Sequence, residues 1–574
     1  MGINRFGIRF VQFAAMGLSA AVAGPFQSAG GGGGGGGGIV THAVILSPHD
    51  VVAGPLELTQ QLRVVIALKL RNQAQLQALI STPGGFTPLT SAQFEAQFSP
   101  TETQAQEVAN FLMGAGFRNV AIAPNRLLVS GDATVAIVQA AFKTSMVRVY
   151  THDGRMAYAN STDVEIPTAL QSSVQAVLGL QDVDIMHTFS EPVQQNVVPA
   201  NLCNPNQNIA QHSDSASPAI ISCKVGHYPT DFPSIYAATD LPTANSVPVG
   251  IFTWGDLTQV IQDLNQFTSV HGLPTVSVQV VGPGSSDTSG TGEWDLDSQT
   301  IVGMSGGVQK IVFYDAAGYS HADLYSIFNT AVAADAVKVI NGSFGDCETL
   351  SRQDGYAAAD DNVFAEAVAQ GQTLSFSSGD SGATGYECPA GSLIPNWPAS
   401  SQYVVSVGGT SLGTDPDNPD QWVRENVWNG YSDGCGGATG GSPSTFEPMP
   451  AWQKNLGQNA GHNTRGVPDI AFDADPCSGS FIIVDGNTLQ YGGTSLASPL
   501  FVGAWARILA FKAGPIGFAA PLLYGLQARD LHDVTIGNNN GETAAPGWDY
   551  TTGFGSLIVT QSAYDLPIHS VPPG

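Results

Sequence analysis

Residues 492–503 read GGTSLASPLFVG, and their first five letters recur at 408–412, where GGTSL runs on into GTDPDNPD. After Ser495 comes a long apolar run, LFVGAWARILAF, which predicts a helix with Pro499 tolerated in its first turn. A serine at a helix start feels the positive end of the peptide dipoles, which favours negative charge developing beside it. Gly492 and Gly493 leave room for another backbone to approach. Ser411 has different neighbours. It follows the apolar strand YVVSV, and the proline-rich stretch after it cannot continue as a helix, so this copy reads as a strand-exit turn. Ser495 is the candidate nucleophile, with an ordinary N-cap serine as the plainer alternative.

The surroundings of both copies define the fold class as α/β. Short apolar strands (VPVGIFT, VSVQVV, QKIVFYD, VKVIN, TLSFSS, YVVSV) alternate with helical stretches (LTQVIQDLNQFTSV, HADLYSIFNTAVAAD, NVFAEAVAQ). Strands without polar alternation, joined through helices, predict a parallel sheet covered on both faces, with functional groups at the carboxyl ends of the strands. Residues 56–185 carry a separate α+β pattern. VVIALKL is a strand, and Ser99, Pro100 and Glu102 read as a capping box for a helix whose Val108, Phe111, Leu112 and Ala115 share a face. RNVAIA, NRLLVSG, ATVAIVQAAF, SMVRVY and RMAYAN complete the unit, which contains no cluster of candidate catalytic groups and reads as a packing or inhibitory module. Residues 186–219, and the stretch on to about 235, are rich in Asn, Gln, Ser and Pro and predict an exposed linker open to proteolytic nicking.

Acidic residues outnumber basic ones 47 to 20, for a net charge of −27. That excess argues against nucleic acid or an anionic membrane as partner. A chain with few carboxylate–base pairs also loses few favourable ion pairs as carboxylates protonate, which fits an acidic setting. Arg5 and Arg9, the apolar FVQFAAMGLSAAV and the small residues Ala21–Ala23 predict a secretory signal peptide over 1–23. Its apolar run is shorter than the roughly 20 residues a membrane span needs. Residues 24–55, with nine glycines at Gly30–Gly38, read as a Gly-rich linker. Six cysteines in an exported chain suggest disulfides, and their spacing alone leaves the connectivity open.

Two further motifs carry chemistry. In GTGEWDLDSQ, Glu293 and Asp297 are four apart and share one face of a helix. Paired carboxyls hold a proton between them and can take a serine proton in acid, where a histidine would already be protonated. In SFSSGDSGATG, Asp380 sits on a Gly-rich turn after a strand, where a protonated Asp could donate into an oxyanion hole. Taken singly, the first motif is an acidic helix start and the second a common turn. His271 and His321 lack the sequence context of a histidine base and read as structural.

GTSLASP resembles the G-T-S-x-x-x-P signature around the nucleophile of subtilisin-like peptidases, without the HGTH-like segment that would supply their histidine. The stretches GHYPTDFPSIY, GEWDLDSQTIVG, KVINGSFGDCE, SSGDSGATGYEC, NWPASSQYVVSVGGTSL and YGGTSLASPLFVG together resemble the sedolisins, the serine-carboxyl peptidases, from about residue 220 to 560. The segment from FTPLTSAQF to FLMGAGF similarly resembles that family's activation propeptide. The resemblance implies a subtilisin-like parallel sheet flanked by helices over 220–574, preceded by an α+β, ferredoxin-like prodomain. It implies Ser495 as nucleophile, Glu293 as its base, Asp297 orienting Glu293 and sharing its proton, and Asp380 in the oxyanion hole. One structural Ca²⁺ is implied in HDVTIGNNNGETAAPGWDYTTGFGS, on the carboxylates of Asp533 and Asp549 and the carbonyls of Val534, Ala545 and Gly547. Cys347–Cys388 is implied as a disulfide. Cys435–Cys477 and Cys203–Cys223 are guesses, the last straddling a maturation region near residue 220.

The expected protein is an exported (extracellular or periplasmic), acid-active endopeptidase made as a zymogen. It would act as a monomer on proteins or peptides, with its own propeptide as intramolecular inhibitor. A tripeptidyl exopeptidase would use the same machinery, and a non-catalytic, calcium-stabilised binding protein would use the same scaffold.

Overall fold

Strand Ala244–Trp254 is buried almost continuously from Val249 onward, as a strand covered on both faces must be. In the computed structural model, which describes residues 38–82, 86–193, 224–431 and 435–567, it lies inside an eight-stranded sheet. Five parallel neighbours accompany it, in the order Ser277–Val281, Val308–Ala316, Ala244–Trp254, Val339–Gly342, Thr373–Ser377 and Val405–Thr414. Trp422–Val427 returns antiparallel along the last of these, and Ile470–Asp473 joins it in parallel. All six strands expected from the sequence are present. The helices form two groups. Thr258–Val270, Thr291–Ser305 and Thr494–Phe511 pack together, while His321–Ala334 packs with Tyr356–Ala369. Between the helices Thr291–Ser305 and Thr494–Phe511 the approach is close: a Cβ added to Gly503 would lie 2.7 Å from Met304 Cβ and 3.1 Å from the Ile301 carbonyl oxygen. Arg507, from the same helix, donates to the Met304 carbonyl at 2.8 Å and so holds the end of its neighbour.

The prodomain is a second, antiparallel sheet in the order Arg118–Ile122, Leu128–Thr134, Gln61–Leu68, Val174–Leu178, covered by helices Glu102–Ala115 and Val135–Phe142. Val64, Ile66, Val108, Leu112, Val129, Val138 and Phe142 fill its core. This is the expected ferredoxin-like α+β unit, with two corrections. The helix cap is Thr101 with Gln104, whose reciprocal bonds measure 3.2 and 2.8 Å, and not Ser99 with Glu102. Ser99 is buried with its carbonyl held by Arg71, so the next hydroxyl along the chain takes the cap. The Gly-rich linker expected over 24–55 also ends earlier. Gly38–Thr41 pairs with Val164–Ile166 and Val51–Pro55 with Met146–Tyr150, because the β-branched residues there complete prodomain edges. The expected signal segment 1–23 lies outside the described residues.

The prodomain docks on helices His321–Ala334 and Tyr356–Ala369. Asn125 donates its two amide hydrogens to Asn329 Oδ1 at 2.7 Å and Glu366 Oε2 at 2.8 Å, and Tyr325 donates to the Leu127 carbonyl at 2.9 Å. These buried polar contacts leave the carboxyl ends of the main sheet free for the chain segment that follows the prodomain.

The close helix crossing yields a direct test. Gly503→Leu should lower the thermal midpoint, with overpacking at such a site costing about 1–3 kcal/mol or more. An unchanged midpoint would contradict the close approach at Met304.

Candidate active site

Glu293 and Asp297 lie one turn apart on the helix Thr291–Ser305, and both are buried. Ser495 is the second residue of Thr494–Phe511, also buried, with its hydroxyl 3.4 Å from the Ser343 carbonyl oxygen. Ser495 and Ser190 both lie close enough to interact with the Glu293 carboxyl, although neither closes a well-aligned hydrogen bond. Beneath them runs a ladder of polar side chains. Ser343 donates to Asp297 at 2.6 Å, Asn341 donates to Ser343 at 2.8 Å, Ser498 donates to Asn341 at 2.7 Å, and Ser375 lies 2.8 Å from Ser498. The ladder ties the helix of Glu293 and Asp297 to the helix of Ser495 across two strand ends.

Asp380 follows strand Thr373–Ser377, as expected. Its Oδ1 accepts from the Thr494 amide at 2.8 Å and the Thr494 hydroxyl at 2.7 Å, and that hydroxyl accepts from the Gly379 amide at 3.0 Å. Asp380 is thus fixed against the first residue of the helix that carries Ser495. Thr494, Ser343 and Asn341 were not singled out from the sequence. The only signal for them was their place inside GTSLASP and KVINGSFG, and nothing local distinguishes a tethering hydroxyl from any other. Pro499 falls at the sixth residue of its helix, beyond the first turn, where it withholds a donor from the Ser495 carbonyl.

Burial governs the electrostatics. Desolvation, then the neighbouring charge of Asp297, pushes Glu293 well above the usual carboxyl range. Asp297 is also pushed up by burial, opposed by its bonds to Ser343 and Asn341. Asp295, on the same helix, is raised to about 9 by burial and by Asp263 beside it. Among the described residues no histidine joins the group. Burial alone would lower His321, but Asp354, 2.8 Å from its Nδ1, and Asp346 carry it to about 10, and it stacks on Tyr356. His271 caps Thr258–Val270 beside Tyr228 and Phe267. Ser411 lies within strand Val405–Thr414, not on a turn, and donates to Asp475. Antiparallel pairing with Trp422–Val427 extends that strand past the point where the sequence suggested an exit.

Residues 187–193 also depart from expectation. Their composition predicts exposed linker, yet His187–Thr188 pairs with Phe344–Gly345 and Glu191–Pro192 pairs with Tyr491–Gly492. Unsatisfied strand edges on either side of the site capture this segment as an added strand. Residues 194–223, including Cys203 and Cys223, lie outside the described residues.

Among the described residues two disulfides are formed, Cys347–Cys388 and Cys435–Cys477. In the C-terminal loop, Asp549 is buried and accepts from the amides of Ala545 at 2.8 Å, Thr551 at 2.8 Å and Thr552 at 2.9 Å. Asp533 accepts from the Gly547 amide at 2.9 Å, and Gly547 takes a positive φ of 79° to make the turn. Two burial-raised carboxyls thus share one loop, and carboxyl oxygens are donors that suit a hard divalent cation.

A parallel sheet with a serine at the start of a helix packed across its strand ends is the architecture of a subtilase-class peptidase, and residues 261–555 match the subtilase family model. Residues 48–183 match the pro-kumamolisin activation domain. Sedolisin from Pseudomonas sp. (strain 101) is 42% identical over 532 residues, covering 87% of this chain and 86% of that one. Xanthomonalisin from Xanthomonas sp. (strain T-22) is 41% identical over 557 residues, covering 88% of this chain, which spans 65% of the xanthomonalisin length. The structure of Pseudomonas sedolisin, a serine-carboxyl proteinase complexed with two molecules of pseudo-iodotyrostatin, superposes with a TM-score of 0.56 at 45% identity, covering 59% of this chain and 98% of that one. The chain belongs to the sedolisin family of serine-carboxyl peptidases and carries that family's activation propeptide.

The buried carboxyls set the pH dependence of stability. A carboxyl raised on folding stabilises fully below its unfolded value, near 4, and that stability is lost as pH rises toward the folded value. Asp182 and Asp315 are raised to about 6, Glu366 to about 8 and Asp295 to about 9, so the loss should run from pH 4 to about 9. His187, His227 and His532, pushed down to about 4 by burial, act oppositely between 6.5 and 4 but are outnumbered. The Ser495→Ala precursor should therefore melt at lower temperature at pH 8 than at pH 4.5. A higher midpoint at pH 8 would refute this account.

Proposed function

We propose that the protein is an exported, acid-active endopeptidase made as a self-inhibited zymogen, with Ser495 as nucleophile and the Glu293–Asp297 pair as its base. The observation that carries this reading is the pair itself, buried and facing Ser495 with no histidine at hand among the described residues. As the serine oxygen attacks a peptide carbonyl, Glu293 takes its proton and Asp297 shares the load. Glu293 then returns a proton to the departing amine. The carbonyl oxygen, becoming an oxyanion, is received by the Ser495 amide at the helix start and by Asp380 in its protonated form. Two coupled carboxyls release their protons in separate steps, and the pair with one proton is the form able both to accept and to donate. At higher pH the second proton leaves, and an ionised Asp380 would repel the oxyanion.

Chain pairs on both sides of Ser495, at His187–Thr188 and at Glu191–Pro192, which supports a cleft open at both ends and hence internal cleavage over removal of tripeptides. The two disulfides suit an oxidising compartment. In the loop of Asp533 and Asp549 a calcium ion would neutralise carboxyls otherwise confined together, supporting the fold and taking no part in the chemistry.

At about pH 4 on a denatured protein substrate, Ser495→Ala and Glu293→Gln should each lower kcat/KM by about 10²-fold or more, and the double variant by little beyond the worse single one. Ser411→Ala should retain full activity, and an optimum near pH 8 would overturn the mechanism. Chelation should lower the melting temperature of the parent, since a ligand bound only by the folded state stabilises it by mass action, but not that of Asp549→Asn. Equal sensitivity in both would remove the calcium assignment.

A further inference from the structure

We infer that Phe189–Ser190 is the bond this precursor cuts first, within its own chain, and that the pocket holding Phe189 selects the residue preceding a cut. The inference rests on the catalytic roles proposed above, but the location of the bond comes from independent geometry. Backbone pairing brackets it. His187 and Thr188 are in register with Gly345 and Phe344 on one side, Glu191 and Pro192 with Gly492 and Tyr491 on the other, and only Phe189 and Ser190 lie between the two ladders. The Phe189 amide is 3.4 Å from the Ser343 carbonyl oxygen, the same atom that lies 3.4 Å from the Ser495 hydroxyl.

Two atoms of the peptide group then meet two of these groups. A Cβ built on Gly493 would lie 2.0 Å from the Phe189 carbonyl oxygen and 2.5 Å from Asp380 Oδ2, so both oxygens rest on the same side of Gly493, two residues before Ser495. The carbonyl oxygen therefore sits where an oxyanion would form. The Ser190 backbone and hydroxyl lie within interaction range of Glu293, which places the leaving nitrogen beside the group that must protonate it. Gly493 at φ 94° is what permits this approach, since any side chain would fill the space.

The Phe189 ring is 3% exposed. It lies against Gly345, whose added Cβ would be 2.9 Å from ring atom Cε2, and against Gly379, whose added Cβ would be 3.7 Å from Cζ. Glycines at these two strand ends make the slot, and a large apolar side chain fills it. In the cut, Ser495 Oγ bonds to the Phe189 carbonyl carbon and its proton passes to Glu293. The C–N bond breaks with that proton delivered to Ser190 nitrogen. Water then cleaves the ester, restoring the Ser495 hydroxyl and leaving Phe189 as a carboxylic acid. The new N-terminus is Ser190, about 30 residues before the maturation region suggested by composition, so later trimming of 190 to about 220 is a separate event.

The precursor, purified at neutral pH, is shifted to about pH 4, quenched over time and read by intact mass and N-terminal analysis. The earliest fragments should end at Phe189 and begin at Ser190, with a rate constant independent of precursor concentration. Phe189→Asp should slow this cut about tenfold or more, and Phe189→Leu should largely preserve it, the scale expected for a lost apolar pocket contact. An earliest cut elsewhere that Ser495→Ala still abolishes would overturn the inference and leave the catalytic reading standing. A cut at Phe189–Ser190 that persists in Ser495→Ala would instead overturn the catalytic reading. A second-order rate, or a Phe189→Asp precursor that processes at the parent rate and position, would also overturn the inference.

Discussion

The close crossing of the helices Thr291–Ser305 and Thr494–Phe511 is the constraint on which the site depends. Glu293 and Ser495 are some two hundred residues apart in the chain, and only this crossing brings them together. It is possible because Gly503 presents no side chain to Met304 and Ile301, and Arg507 locks it by bonding the Met304 carbonyl. Sliding or rotation of one helix on the other is resisted by the ladder from Asp297 through Ser343, Asn341 and Ser498 to Ser375, which spans the ends of two parallel strands. Packing sets the distance between the helices, and hydrogen bonds set their register.

A second consequence is the desolvation of the carboxyls. Moving a carboxylate out of water is costly enough that the group keeps its proton instead, and two such groups side by side strengthen that tendency. Glu293 and Asp297 obey this rule, and so does the wider population of buried acids. The same physics therefore favours acid for the fold and for the proposed reaction. His321 shows why imidazole is no substitute here: between Asp354 and Asp346 it is held in its charged form, a structural cation with no proton vacancy in the acid range.

The prodomain and the peptidase are joined physically at the same place as the proposed chemistry. Its sheet docks through Asn125, Asn329 and Glu366, and the chain leaving it passes directly between two strand edges at the site. A competing substrate would have to displace a strand that is covalently anchored at both ends. The proposed self-inhibition would then need only high effective concentration, without tight contacts by the linker itself.

Much of this was legible in the sequence. Apolar runs marked all six parallel strands, because a strand buried on both faces has no polar alternation to hide it. Ser495 stood out from Ser411 because one is followed by an apolar helix and the other by prolines. The four-residue spacing put Glu293 and Asp297 on one helical face, and that spacing survives any tertiary arrangement. Local chemistry misplaced the cap at Ser99, where burial of that serine overrode its propensity, and misread Ser411 as a turn because antiparallel pairing with Trp422–Val427 carries its strand on as far as Thr414. It also read residues 187–193 as exposed linker, since their polar composition carries no record of the edges at Gly345 and Tyr491 that capture them. The sequence by itself determined which residues could do chemistry and which elements would carry them, because helix phase and strand burial are local properties. Only the tertiary structure decided which groups meet, since the hold of Thr494 on Asp380, of Ser343 on Asp297, and the position of Phe189 against Gly493 are contacts between distant segments whose register is set by packing.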